Sequence, residues 1–169
     1  MSELEKDGIY ACSLAMPGFD FPLCKKWVCE IKLHTEQNID DEIYLVGHSL
    51  GATSILRYLE DVSINTVIAG SILVSTPIEM TNNRNLDNFF ETEPDYQKIK
   101  KNCRLFSVIH GDNDTFAPIT QAEKLANTLN CSFISIPNGG HLSGHEMWHE
   151  LPQCLDTLEC MIEQMSTPK

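Results

Sequence analysis

The chain has 169 residues, 42% hydrophobic and 21% charged, a length and balance that suit one folded domain burying about two-thirds of its unfolded surface and exclude a disordered chain. Its formal net charge of -12 repels phosphate backbones and anionic lipid. Lys6, Lys25, Lys26, Lys98, Lys100 and Lys101 are too scattered to build a basic groove, so neither nucleic acid nor a membrane is an expected partner.

Seven cysteines, Cys12, Cys24, Cys29, Cys103, Cys131, Cys154 and Cys160, form an odd set with no C-x-x-C pair, which points to free thiols in a reducing compartment. Met1 to Gly8 is charged and lacks the apolar centre of a signal peptide, and no apolar run approaches a membrane span. A cytoplasmic location is therefore expected.

In chain order, Ile9 to Leu14 reads as a strand and Lys25 to Leu33 as an amphipathic helix with apolar residues three and four apart. Ile43 to Val46 is the next strand, Ala52 to Leu59 a helix, and Val67 to Val74 a strand. Thr76 to Asn102 breaks the rhythm: it is polar, rich in Asn, and carries Phe89, Phe90 and Tyr96 near Pro94. Residues 76–102 suit equally a small lid with aromatic substrate contacts or a connection covering one end of a sheet. Leu105 to Ile109 is a strand, Gln121 to Leu129 a helix, and Ser132 to Ile136 the last strand. A final helix is expected after Gly144, running toward Met165 and interrupted near Pro152. This alternation predicts an α/β fold over residues 1–169, a single domain with a mostly parallel sheet, helices on both faces, and active groups at the C-terminal strand ends.

Ile43 to Val46 runs directly into Gly47-His48-Ser49-Leu50-Gly51, with a helix beginning at Ala52. This is G-x-S-x-G in the setting that gives it meaning, a sharp strand-to-helix turn holding a serine in a strained, exposed position, as in the α/β-hydrolase fold. Glycines are expected at both flanks because a side chain there would collide as the turn closes. Ser49 is the expected nucleophile, and the backbone N–H of Leu50, at a helix N-terminus, the expected oxyanion donor.

A serine at its normal pKa is a poor nucleophile, so an acid and a histidine must follow, in that chain order. The loop after Leu105 to Ile109 carries Asp112 and Asp114. The spacing of Asp114 to Pro118 turns the Asp114 carboxylate inward before the next helix, making it the expected acid, with Asp112 second and better suited to forming a turn. The last strand ends in Pro137-Asn138-Gly139-Gly140-His141, where His141 can reach Ser49 through Nε2 and Asp114 through Nδ1. His48 is expected to project away from the nucleophile, and His34 and His110 to be surface or packing residues.

A competing pattern, H-E-x-x-H, occurs at His145-Glu146-Met147-Trp148-His149. On a helix its histidines would share one face and Glu146 would activate a zinc-bound water. A third ligand is required, yet Leu151, Pro152 and Gln153 follow, and Pro152 disturbs the helix. The expected role of the run is the amphipathic start of the last helix, Met147 and Trp148 buried and the histidines wet.

From Tyr44 to Pro152 the chain resembles the small serine hydrolases related to retinoblastoma-binding protein nine and YdeN. The resemblance runs through Gly47 to Gly51, Ile55 to Glu60, Ile72 to Ser75, Asp95 to Ile99, Asp114 to Pro118 and Gly139-Gly140-His141. With Met16-Pro17 it covers about nine-tenths of the sequence. It implies a Ser49, Asp114, His141 triad that hydrolyses a small acyl compound of the ester type without cofactor or metal. The alternatives are a catalytically silent binding protein on the same fold and, behind it, the zinc hydrolase.

Two departures stand out. The L-x-C-x-E ligand of the retinoblastoma protein is absent, with Ile162 where the Glu belongs in Leu158 to Ile162, so that partner is not implied. Met1 to Gly8 resembles the end of the family's first helix, so an N-terminally truncated fold is expected, lacking the first strand and the glycine-bearing loop that supplies a second oxyanion N–H. That strand would lie between Ile9 to Leu14 and Ile43 to Val46. Residues up to about Leu33 are therefore expected to re-pair with the sheet, pack loosely or meet a partner chain's edge.

Overall fold

The structure is a computed structural model and describes residues 4, 8–18, 20–37, 42–61, 67–80 and 83–166. The expectations for Met1 to Gly8 fall mostly outside the described residues.

Four strands, β1 (Tyr44–His48), β2 (Ile68–Val74), β3 (Cys103–Gly111) and β4 (Ser132–Ile136), form a parallel sheet in that order. The register runs from Tyr44 opposite Gly70 to His48 opposite Val74, then from Val74 opposite Ile109, and from Gly111 opposite Ile136. Every strand therefore ends on one edge of the sheet. β2 is buried along its whole length, as a continuous apolar run at the centre of a parallel sheet must be.

Helices α1 (Cys24–Glu36), α2 (Leu50–Leu59), α3 (Tyr96–Asn102), α4 (Ile119–Leu129) and α5 (Pro152–Ser166) cover the sheet. The period-two alternation of the strands divides the core. Leu73 and Val108 pack with Ile31, Leu56, Ile99 and Leu125 of α1 to α4. Their neighbours Ile72, Val74 and Ile109 point the other way, against Leu158 and Met161 of α5. Helices on both faces of a parallel sheet are the expected α/β-hydrolase architecture.

Residues 76–102 contain a 3-10 helix (Arg84–Phe89) and α3, whose N-cap Asp95 accepts from Gln97 N–H and Lys98 N–H, both at 3.2 Å. Phe89 is turned inward, its ring edge-on to Trp27 with centroids 5.5 Å apart. Asn88 Oδ1 accepts from Cys24 N–H at 2.7 Å, and Arg57 Nε donates to Phe89 O at 3.0 Å. The segment thus ties α1 to α2. Phe90 and Tyr96 border a cleft of about 290 Å³ with Ile78 and Met80.

Three expectations need correction. Residues 9–14 form no strand: residues 10–13 are exposed, and only Leu14 and Met16 pack on the core. A strand needs a neighbour to take its N–H and C=O groups, and none of the described residues pairs with the outer edge of β1, where Val46 is 51% exposed. The last helix does not begin after Gly144. A 3-10 turn (Gly144–Glu146) stops at Met147 in the left-handed region at φ 69°, and α5 starts only at Pro152, whose missing N–H suits a first helical position. Met147 is consequently 77% exposed rather than buried, while Trp148 is half-buried against the α5 side of the core.

Candidate active site

The three candidate side chains come from the C-terminal ends of β1, β3 and β4. Ser49 sits at φ 54° and ψ -125°, a strained conformation for a residue with a Cβ. The turn is locked by Ser49 N–H donating to Val74 O at 2.9 Å and by Ala52 and Thr53 N–H donating to Ser49 O at 3.0 and 3.1 Å. A Cβ at Gly47 would lie 2.6 Å from Ala52 N and 2.7 Å from Ala52 Cα, so glycine is required there. Gly51 faces open space, which corrects the expectation that both flanks demand glycine. Leu50 opens α2, and the first N–H groups of a helix have no partner within it.

Ser49 Oγ and His141 Nε2 are 2.9 Å apart, and His141 Nδ1 is 2.7 Å from Asp114 Oδ2. The other Asp114 oxygen accepts from Phe116 N–H at 2.8 Å and Ala117 N–H at 3.0 Å. Burial pushes the Asp114 carboxyl upward, but hydrogen bonds from His141, Ala117 and Phe116 together outweigh it and hold the group below its ordinary value. Asp114 is therefore ionised at neutral pH and fixes the tautomer of His141 with Nδ1–H toward it.

Neighbouring side chains hold the loop that carries His141 to the loop that carries Asp114. Asp112, the second choice for the acid, points away from His141 and accepts from Asn138 N–H at 2.8 Å. Asn113 Oδ1 accepts from Gly140 N–H at 2.7 Å. Neither contact was legible in the sequence, although an Asp-Asn-Asp run opposite Asn138-Gly139-Gly140 is a set of acceptors facing bare N–H groups.

Two histidines sit closer to the site than expected. His48 does not project away: its Nε2–H donates to His141 O at 2.7 Å, and the two rings are 4.9 Å apart. Burial pushes the His48 pKa down despite that bond, so it stays neutral at pH 7. His110 is a packing residue, fully buried, with Nε2–H donating to Ala117 O at 2.8 Å and lying 3.5 Å from Asp114 Oδ2. His34, on α1, is at the surface beside Glu30.

The H-E-x-x-H run is not helical. Only Gly144–Glu146 form a turn, and Met147 at φ 69° breaks the spacing that would set His145 and His149 on one face. Both histidines are exposed. Among the described residues no group of three His, Cys, Asp or Glu is arranged to hold a metal ion.

The serine hydrolase family model matches residues 4–159. The chain is 31% identical over 153 residues to YdeN of Bacillus subtilis (strain 168), named as a hydrolase, spanning 90% of this chain and 80% of that protein. It is 27% identical over 119 residues to the serine hydrolase RBBP9 of Rattus norvegicus, covering 70% of this chain and 62% of the rat protein. The crystal structure of the B. subtilis ydeN product superposes with a TM-score of 0.88 at 30% identity, over 95% of this chain and 86% of that one. A YdeN-like protein from Pectobacterium atrosepticum shares the fold, with a TM-score of 0.64 at 18% identity over 89% of this chain and 75% of its own.

Proposed function

We propose that this chain, which belongs to the serine hydrolase family, cleaves carboxylic esters or related small acyl compounds with Ser49 as nucleophile, His141 as general base and acid, and Asp114 as the orienting carboxylate. The observation that carries the reading is the unbroken line Ser49 Oγ, His141, Asp114, with contacts of 2.9 and 2.7 Å. Ser49 Oγ attacks the acyl carbon while its proton passes to His141 Nε2. The Asp114 carboxylate, held ionised by its N–H donors, stabilises the imidazolium that forms. Leu50 N–H faces the developing oxyanion. The leaving alcohol takes the proton back from His141, and water repeats the sequence to free the acid and Ser49.

Phe116 bears on the substrate: it is 71% exposed, and its ring centroid is 5.0 Å from that of His141. Apolar surface beside the base suits an ester with an apolar substituent. Leu50 N–H is the oxyanion donor assigned among the described residues, and one such donor is worth about 10²–10³ in rate.

Reaction with a fluorophosphonate, read by intact mass, tests the proposal. A single adduct that is lost in Ser49→Ala and unaffected by a chelator supports it. Folded protein that forms no adduct would favour a silent binding protein, and turnover that survives Ser49→Ala but falls with chelator would return the reaction to His145, Glu146 and His149.

A further inference from the structure

Glu146 belongs to the H-E-x-x-H run, yet its carboxylate is turned onto the loop that carries His141. Oε2 accepts from Ser143 N–H at 3.3 Å and from Ser143 Oγ at 3.0 Å. Gly140, at φ 57°, lies directly beneath it: a Cβ there would run into Oε1 and come within 2.7 Å of the carboxyl carbon. Residues 140 and 143 therefore close on one carboxylate, with His141 between them. Met147, at φ 69°, ends the 3-10 turn right after Glu146.

We infer that Glu146 is a positioning residue for the base, its carboxylate clasping residues 140–143 so that the imidazole of His141 stays aligned between Ser49 and Asp114. The inference rests on the reading of His141 as the base. Asn113 secures the Gly140 N–H from the β3 side at 2.7 Å, while Glu146 takes the Ser143 N–H at 3.3 Å on the far side of His141. The two acceptors leave the loop little freedom to rotate. The nearby backbone N–H of His141, ahead of the opposing effect of burial, holds the Glu146 carboxyl below its ordinary value, so the clasp is charged at working pH. Its negative charge also favours the imidazolium formed during attack. The other titratable groups facing His141 are Asp114, from the loop after β3, and His48 at the end of β1; His110 lies behind Asp114, 3.5 Å from its Oδ2.

The test is ester hydrolysis and fluorophosphonate inactivation across pH for the parent, Glu146→Ala, Glu146→Gln, His145→Ala and His149→Ala. Misplacing a reacting group by about 1 Å costs about 100-fold, so Glu146→Ala is expected to lower kcat by about 10- to 100-fold with little change in KM. Glu146→Gln keeps an oxygen acceptor and should recover to within about threefold of the parent. Its acidic limb of kcat/KM should move to lower pH, because Asp114 is then the one carboxylate of the two left to favour the imidazolium. His145→Ala and His149→Ala should match the parent. A melting temperature for Glu146→Ala close to the parent's separates misalignment from unfolding, and if that variant does not fold, the pH shift in Glu146→Gln carries the test.

Parent-like rates and pH profiles in both Glu146 variants would overturn the inference. So would a Glu146→Gln variant as inactive as Glu146→Ala, together with loss of activity in His145→Ala. Failure of the base reading itself would look different: His141→Ala would keep its turnover.

Discussion

The two flanks of the sheet hold the site in different ways. On the β3 and β4 side, strands paired along their length end in loops tied to each other by Asp112, Asn113 and Asp114. On the β1 side, the strand that delivers Ser49 pairs, among the described residues, with β2 alone, Val46 is half exposed, and residues 9–14 form no strand. Ser49 is nonetheless fixed, because its turn is locked internally by Gly47 against Ala52 and by Ser49 N–H on Val74 O. A strained turn needs only its own strand, one neighbour and the helix after it. A histidine on a loop needs several acceptors.

If that contrast is right, substitutions on the β3 and β4 side should act on rate and those along the outer flank should barely register. The largest effect belongs to His141→Ala, with turnover down by about four orders of magnitude or more, measured by steady-state ester hydrolysis beside His145→Ala. Asp114→Asn comes next, at about 10⁴ in kcat, because an amide permits the wrong imidazole tautomer. A drop under tenfold there would show that the acid lies elsewhere.

Asn113→Ala frees the Gly140 N–H and is expected to slow turnover by about tenfold without moving the melting temperature by more than a few degrees. Stability against acid offers a further check. The Asp114 carboxyl is held below its ordinary value, so its contribution to stability is complete above the unfolded value of about 3.9 and is lost as pH falls through the lower folded value. Acid unfolding of Asp114→Asn should accordingly be flatter below about pH 4 than that of the parent. The smallest effect should be Tyr10→Ser: this ring is 84% exposed, and chemical denaturation should shift by less than about 0.5 kcal/mol. A larger loss would mean that residues 9–14 contribute to the fold after all.

Much of this was legible in the sequence because the signals were local. Val67 to Val74 and Ser132 to Ile136 are short apolar or β-branched runs, and each is a strand within a residue of its expected ends. The convergence of Ser49, Asp114 and His141 was legible because turn chemistry fixes where loops after parallel strands lead. Ile9 to Leu14 has the composition of a strand but no neighbour in the sheet, and pairing is not written in the strand itself. His48 was misplaced because its partner is a carbonyl 93 residues away. Glu146 and Met147 were read on a helical period, whereas a left-handed residue ended the turn after one cycle.

The central claim is that Ser49 is activated by His141 and Asp114, and the rate of fluorophosphonate inactivation, followed by intact mass in the parent, Ser49→Ala, His141→Ala and Asp114→Asn, addresses it most directly. One adduct should form in the parent, none in Ser49→Ala, and inactivation should slow sharply in the other two variants. Equal inactivation rates in the parent and His141→Ala, or an adduct that persists in Ser49→Ala, would contradict it.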